Sequence, residues 1–172
     1  PFDIRCSGLC EDRTVPTSFA VTTRTTASVE DLFDASLSID HHLDSMRSSG
    51  ERAVAGVTSG TIGLGESVTW RARHFGIRFT MTSRITALDR PHRFVDEQTR
   101  GPFRSFRHEH VFRSEGTRTV MVDTLTVESP TLGVPAFGTL VERLILVPYL
   151  RRLIRQRNAH LVAAVAPTAS SS

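Results

Sequence analysis

Four polar residues that could carry acid–base or ligand chemistry lie close together in the second half of the chain. Asp96, His108, His110 and Asp123 stand among aromatic and aliphatic neighbours in the stretch 93–128. An imidazole beside a carboxylate in a desolvated pocket can titrate near neutral pH and move protons, as enolisation or dehydration requires. These are the candidate catalytic residues, with His108 or His110 as the acid–base and Asp123 or Asp96 orienting it.

Two other interpretations of this cluster stay open. Paired histidines on a strand opposite an aspartate can form a buried hydrogen-bonded network that fixes strand register without any substrate. Two histidines two residues apart plus a carboxylate also imitate the two-histidine, one-carboxylate metal site, although the spacing does not identify the third ligand. We expect no metal and no cofactor.

Turn residues divide this stretch into three antiparallel strands. The turns are predicted at 99–102 and at 114–116, where glycine and proline occur. Alternation along the middle strand then places Phe106, His108, His110 and Phe112 on one face. The two imidazoles are therefore expected to point the same way.

The other segments complete one α+β domain, predicted to span 17–165. A strand is predicted at 17–25, short helices at 29–37 and 39–46, strands at 51–58, 67–74 and 77–85, and a long helix at 137–165. An antiparallel sheet with one apolar face needs a cover, and only the terminal helix is long enough to supply it. A wedge left between sheet and helix would be a pocket of roughly 300–1,000 Å³.

The terminal helix is predicted to have an apolar stripe and a basic outer face. The stripe is Leu140, Leu144, Val147, Ile154, Leu161 and Val165. Pro148 lacks an amide hydrogen and is expected to bend the helix in its middle. The arginines at 143, 151, 152, 155 and 157 are assigned to the solvated face rather than to a membrane or nucleic acid. His41 and His42, on a short helix, are expected to be exposed.

Composition excludes several functions. All 21 basic residues are arginine, so no lysine can form a Schiff base. The net charge of +3 is spread along the chain, which argues against nucleic acid as a partner. The glycine loop at 60–65 lacks the ending of a phosphate-binding loop. No segment reaches transmembrane length, so we expect a cytoplasmic protein without stable membrane insertion.

The two ends of the chain are expected to lie outside the domain. Residues 1–16 are predicted to be a mobile extension, and residues 166–172 a disordered tail. Cys6 and Cys10 are the only cysteines, and without a second pair they are expected to be reduced thiols.

The order of these elements resembles the START-like or birch-pollen-allergen-like superfamily, also called SRPBCC. The resemblance rests on the run DRPHRFVDEQTRGPFRSFRHEHVF, the segment GTRTVMVDTLTVESP and a terminal helix carrying LRRLIRQR. Within it, the chain is similar to bacterial ligand-binding proteins grouped with polyketide cyclases and dehydrases, which share GPF, an aromatic residue and His-x-His-x-Phe. Phe106 stands where that phrase usually has tryptophan. The resemblance implies a helix-grip fold, in which a curved seven-stranded antiparallel sheet wraps round a long C-terminal helix, with two short helices after the first strand.

The resemblance also implies the class of function. A monomer or homodimer of this fold would bind a lipid- or polyketide-like molecule in an internal cavity, or would cyclise or dehydrate such a molecule there. The residues expected to line the cavity are Trp70, Phe79, Met81, Phe94, Phe106, Phe112, Met121 and Leu144.

Overall fold

The computed structural model describes residues 16–74, 76–129 and 142–166. The predicted N-terminal extension with Cys6 and Cys10, the predicted tail beyond residue 166, and residues 137–141 of the predicted long helix lie outside the described residues.

Strands and helices follow one another in the predicted order. The elements are β1 (Thr17–Thr25), α1 (Val29–Leu37), α2 (Ile39–Ser45), β2 (Arg52–Gly56), β3 (Ser67–His74), β4 (Ile77–Asp89), β5 (Arg93–Arg100), β6 (Ser105–Glu115), β7 (Arg118–Glu128) and α3 (Val147–Ala164). A 3₁₀ turn, Arg47–Ser49, follows α2, and a π-helical turn, Glu142–Leu146, precedes α3.

The seven strands form one curved antiparallel sheet. Its order is β1-β7-β6-β5-β4-β3-β2, so the first strand pairs with the last and every other neighbour is joined by a hairpin or short loop. Helix α3 lies against β1 and against both short helices. The predicted helix-grip fold is confirmed, because one long helix covers the face around which the sheet curves.

Side-chain caps define the two short helices. The Ser28 hydroxyl accepts the Asp31 amide at 3.0 Å, as the spacing of these residues predicts. Ser38 separates the helices, and its hydroxyl accepts the His41 amide at 3.2 Å, so α2 begins directly where α1 ends. This arrangement turns α2 across the open end of the sheet.

The core lies between α1 and the central strands. Phe33 is fully buried and packs edge-on against Phe94 and Phe112, with ring centroids 5.7 Å and 5.2 Å apart. Edge-to-face pairs of this kind add about 0.5–1.5 kcal/mol beyond the area that they bury. Leu161 of α3 and Met121 of β7 complete this cluster, so the side chains seal one end of the interior.

The start of the terminal helix differs from the prediction. Pro148 does not lie in the middle of the α-helix, as predicted, but in the first turn of α3. In the first turn an amide hydrogen has no partner within the α-helix, so its absence from proline costs no hydrogen bond. The preceding turn is π-helical and therefore wider than an α-helical turn. The wider turn shifts the phase of the apolar stripe, so Leu144 is 67% exposed and Leu146 faces inward instead.

Candidate functional site

A cavity of about 390 Å³ lies between the sheet and α3, with α2 at its side. Its walls are mainly apolar. The groups that line it include Ile39, Met46, Ile62, Val68, Ala72, Ile85, Leu125, Leu146, Leu150, Leu153 and Ile154. The volume is within the range of small-molecule pockets, so the interior is not filled by its own side chains.

The predicted wall residues fall into three groups. Trp70, Phe79, Met81, Phe94 and Phe106 line the cavity as expected. Phe112 and Met121 are buried in the core cluster behind it, because Phe33 of α1 packs over this end of the sheet. Leu144 is exposed at the π-helical turn. Leu125 of β7 and Leu150, Leu153 and Ile154 of α3 line the cavity in their place.

Strand register brings the four predicted polar residues together. Asp96 of β5 stands directly opposite His108 of β6, and Asp123 of β7 stands directly opposite His110. His108 and His110 are two apart on β6, so their side chains share the inner face, with ring centroids 3.8 Å apart. Three neighbouring strands in the middle of the sheet thus carry one polar cluster at the end of an apolar cavity.

Asp123 is the buried centre of this cluster. Its side chain has no exposed surface, and its Oδ1 lies 3.1 Å from Nε2 of His108. The same oxygen lies 2.7 Å from Nδ1 of His110, an ion-pair contact whose angle is outside the hydrogen-bond range. Asp123 does not line the cavity, so it holds the imidazoles from behind.

Asp96 faces the imidazoles from the cavity side. Its Oδ2 lies 3.3 Å from Nε2 of His110 and 3.8 Å from Nδ1 of His108, and its side chain keeps 21% of its surface exposed. Asp96, His108 and His110 all line the cavity. These three side chains are therefore the ones that a bound molecule can reach.

Two residues of α3 complete the cluster, and the sequence analysis did not identify either. Asn158 donates from Nδ2 to Oδ2 of Asp123 at 2.6 Å and to Thr23 at 3.0 Å. Arg157 was assigned to the solvated face, but it is 6% exposed and its Nη1 lies 3.8 Å from Asp123. Arg157 and Asn158 share the helix face of the buried residues Ile154 and Leu161, and the buried carboxylates supply the counter-charge that a buried guanidinium needs.

Arg157 is also anchored to α1. Its Nη2 donates to the carbonyl oxygen of Ser36 at 2.9 Å, and the side chain lines the cavity. The guanidinium keeps its charge in proteins, although burial lowers the pKa of Arg157. The polar end of the cavity therefore contains a fixed positive group beside the two carboxylates.

The environment also shifts the pKa values of His108, Asp123 and Asp96 downward. Burial lowers the pKa of His108, and the neighbouring His110 lowers it further, against the opposing effect of the two aspartates. Burial alone would raise the pKa of Asp123, but its contacts with the two imidazoles outweigh burial and hold the pKa well below the usual value. The same balance lowers the pKa of Asp96, mainly through His110. Ionised aspartates and a neutral His108 are favoured.

A second polar group lies along β3. His42 stacks on Trp70 with ring centroids 4.2 Å apart, and its Nε2 lies 2.7 Å from Oε1 of Glu51. His74 at the end of β3 lies 2.6 Å from the hydroxyl of Tyr149 on α3. His42 and His74 both line the cavity. The expectation that His41 and His42 are exposed is wrong, because both are half-buried, and His42 lines the cavity.

Comparison with known proteins is informative at the level of the fold. No protein-family model matches the sequence, and no curated protein matches it. The solved structure of the aromatase/cyclase Zhui from Streptomyces sp. R1128 is similar over 88% of this chain and 94% of its own, at 16% identity and a TM-score of 0.68. The chain has the START-like fold.

Two further solved structures show the same START-like fold. Major latex-like protein 151 from Panax ginseng is 14% identical over 90% of this chain and all of its own, with a TM-score of 0.65. A START superfamily protein from Mycobacterium smegmatis is 14% identical over 86% of this chain and 96% of its own, with a TM-score of 0.60. At these identities the START-like fold is shared, and the chemistry of the site has to be argued from its own residues.

Proposed function

We propose that this protein binds a hydrophobic small molecule, of lipid- or polyketide-like character, in the cavity between the sheet and α3. The observation that carries the proposal is the cavity of about 390 Å³, walled by apolar side chains from β3, β4, α2 and α3. Burial of apolar ligand surface against such walls contributes about 25 cal/mol per Å². The START-like fold supports the proposal, since one protein of this fold is an aromatase/cyclase.

The polar cluster restricts the chemistry of the ligand. Asp96, His108, His110 and Arg157 line one part of an otherwise apolar cavity. A molecule that fills the cavity would place an apolar body against Trp70 and a polar group, such as a hydroxyl or carbonyl, against this cluster. A purely hydrocarbon ligand would leave the polar groups buried without partners, which costs affinity.

A second candidate function is catalysis on the same kind of molecule. Asp96, His108 and His110 reach the cavity, and the environment favours a neutral His108 and an ionised Asp96. In a cyclase or dehydratase, a neutral imidazole would accept a proton from the carbon next to a carbonyl, and a protonated group would return one to the departing hydroxyl, which leaves as water. The contact of these groups with the cavity supports this candidate.

Native mass spectrometry of the purified protein tests the binding function. A mass adduct that dissociates as an organic molecule is expected, and it should be absent from Ala72→Phe, which fills the cavity from β3. Ala163→Phe places the same ring on the exposed face of α3 and should retain the adduct. An adduct that persists in Ala72→Phe, or no uptake of any lipid- or polyketide-like compound by the parent protein, would contradict the proposal.

We also propose a domain span of 17–165, a cytoplasmic location and a monomeric or homodimeric state, all from the sequence pattern. Within the described ranges, none of the helices has the length and apolarity to cross a membrane.

A further inference from the structure

The two imidazoles lie between two carboxylates, and a neutral ring cannot donate a hydrogen bond to both of them. His110 has Asp123 2.7 Å from one nitrogen and Asp96 3.3 Å from the other. His108 has Asp123 at 3.1 Å and Asp96 at 3.8 Å in the same way. A neutral imidazole carries one N–H and one bare nitrogen, so each ring can donate to one carboxylate only.

Hydrogen-bond geometry distinguishes the two rings. Nε2 of His108 is within hydrogen-bond range of Asp123, so Nδ1 of a neutral His108 is the bare nitrogen and faces Oδ2 of Asp96. In His110, Nε2 is within hydrogen-bond range of Oδ2 of Asp96, and Nδ1 has no hydrogen-bond partner despite its 2.7 Å contact with Asp123. A cation that displaces the Nε2 proton of His110 would bind this nitrogen together with Nδ1 of His108 and Oδ2 of Asp96.

We propose that Asp96, His108 and His110 form a binding site for one divalent first-row transition metal ion, such as Zn²⁺, at the polar end of the cavity. One ligand atom from each residue lies within 4.8 Å of the others. The distances from Oδ2 of Asp96 to the two nitrogens, 3.3 Å and 3.8 Å, are close to the spacing of about 3.4 Å that tetrahedral bonds of ~2.1 Å give. Two imidazoles and a carboxylate suit such ions and leave further coordination positions open.

The residues behind the three ligands supply the support that metal sites in proteins have. Metal-bound histidines usually donate their second N–H to a carboxylate, which fixes the ring and its tautomer. Asp123 is placed to do this for His108, at 3.1 Å from its Nε2, and it lies 2.7 Å from Nδ1 of His110 at an angle outside the hydrogen-bond range. Asn158 holds its other oxygen at 2.6 Å, so the orienting carboxylate is itself fixed.

The charges of the cluster also favour a cation. The two aspartates and Arg157 together carry one net negative charge. A bound divalent ion would change the net charge of the cluster from one negative to one positive. A hydroxide ion or an anionic oxygen of the organic ligand, bound at an open coordination position of the metal, would neutralise that charge. Because Asp96, His108 and His110 line the cavity, that oxygen can belong to an enolate, phenolate or carboxylate of the bound molecule.

This inference goes beyond the binding of a hydrophobic molecule and does not depend on it. It competes with the acid–base candidate, because a nitrogen that holds a metal ion cannot accept a proton. It also replaces the sequence-based expectation that no metal is bound.

The experiment uses Co²⁺ alone, which gives visible absorption bands when bound by nitrogen and oxygen ligands. The background is the full chain with Cys6→Ser and Cys10→Ser, so that thiols do not bind the ion. After treatment with a chelator and its removal, the protein is titrated with Co²⁺. We expect one ion per chain by absorption and by elemental analysis, and displacement of Co²⁺ by Zn²⁺.

Variants locate the bound ion. Asp96→Asn and His110→Ala should each weaken Co²⁺ binding by more than the roughly 10–100-fold expected for the orienting variant Asp123→Asn. His92→Ala removes an exposed histidine and should leave binding unchanged. Should His110→Ala fail to fold, Asp96→Asn decides, since it keeps the shape of the side chain and removes only its charge.

Two outcomes would overturn the metal site. One is the absence of stoichiometric Co²⁺ uptake by the background protein at neutral pH, which would indicate that a second proton on an imidazole supplies the positive charge. The other is unchanged Co²⁺ affinity in folded Asp96→Asn. No organic ligand is present in this assay, so either result leaves the proposed hydrophobic-ligand function standing, and native mass spectrometry tests that function separately.

Discussion

Asn158 on α3 donates a hydrogen bond of 2.6 Å to Oδ2 of Asp123 on β7, and both side chains are buried. The contact joins the helix to the sheet behind the imidazoles. It also occupies one oxygen of the carboxylate and leaves Oδ1 to His108 and His110. The position of α3 and the orientation of the polar cluster are therefore coupled.

Removal of Asp123 should destabilise the protein strongly. In Asp123→Ala, buried Arg157 loses its nearest counter-charge, and a broken buried ion pair costs about 3–5 kcal/mol. Asn158→Ala removes a hydrogen bond to the same carboxylate and should cost about 1–3 kcal/mol. The free energy of unfolding from urea titration measures both.

An exposed carboxylate of the same sheet provides the control. Glu115 bonds Arg113 at 2.7 Å, and both side chains are largely in solvent. Exposed pairs contribute about 0–1 kcal/mol, so Glu115→Ala should change stability by no more than that. Equal losses in Asp123→Ala and Glu115→Ala would show that the buried cluster does not stabilise the fold.

Stability should fall as the pH is lowered. Folding lowers the pKa of His108 below its usual value of about 6.5, so from that pH downward the unfolded chain takes up a proton that the folded chain refuses. Folding also lowers the pKa values of Asp96 and Asp123, so their contribution is present above about pH 4 and is lost below it. Both effects have the same sign.

Urea titrations across this pH range, with a chelator present, measure the effect. The charged groups that face the imidazoles are Asp96 from β5, Asp123 from β7 and Arg157 from α3. His92→Ala removes an exposed ring and should leave the pH dependence unchanged. A free energy of unfolding that stays constant from neutral to acidic pH would contradict the low pKa of His108.

The emission of Trp70 should report on occupancy of the cavity. Trp70 is the single tryptophan of the chain, it lines the cavity, and its indole N–H donates to Ser83 at 3.3 Å. A neutral, non-emitting apolar ligand that enters should displace water from the indole and shift its emission to shorter wavelength. The shift should saturate with concentration, and Ala72→Phe should abolish it. Saturable shifts of equal size in both proteins would place binding elsewhere.

Loss of the Tyr149 hydroxyl should loosen the start of α3. This hydroxyl lies 2.6 Å from Nδ1 of His74 and links the helix to the end of β3. Tyr149→Phe keeps the ring and should cost about 0.5–1.5 kcal/mol. Amide hydrogen exchange at 149–153 should become faster, while exchange in α1 should stay the same. Unchanged protection at 149–153 would indicate that packing alone holds this turn.

Much of the polar cluster could be predicted because it depends on strand geometry. Alternation along β6 gives His108 and His110 the same face, and the tight turn at Gly116 fixes β7 so that Asp123 stands opposite His110. Asp96 follows in the same way from the pairing of β5 with β6. Local periodicity was sufficient for the shared face of the two histidines, whereas the residues that stand opposite them depend on the register of the folded sheet.

The inner face of α3 follows from periodicity, but the identity of its polar members was missed. Arg157 and Asn158 lie three and four residues after Ile154 and share the face of Ile154 and Leu161, both of which are buried, whereas Leu144 in the π-helical turn points to solvent. An arginine in an amphipathic pattern is assigned to the wet face by default. Its burial depends on Asp123, which is 34 residues earlier in the chain and becomes its neighbour only in the folded sheet.

The side chains that line the cavity come from two parts of the sheet. Trp70, Phe79 and Met81 belong to β3 and β4, whereas Asp96, His108 and His110 belong to β5 and β6. Substitutions on β3 and β4 would therefore change the size of the ligand that the cavity accepts, while the charged groups keep their arrangement. Directed evolution of ligand selectivity in this protein can begin on those two strands.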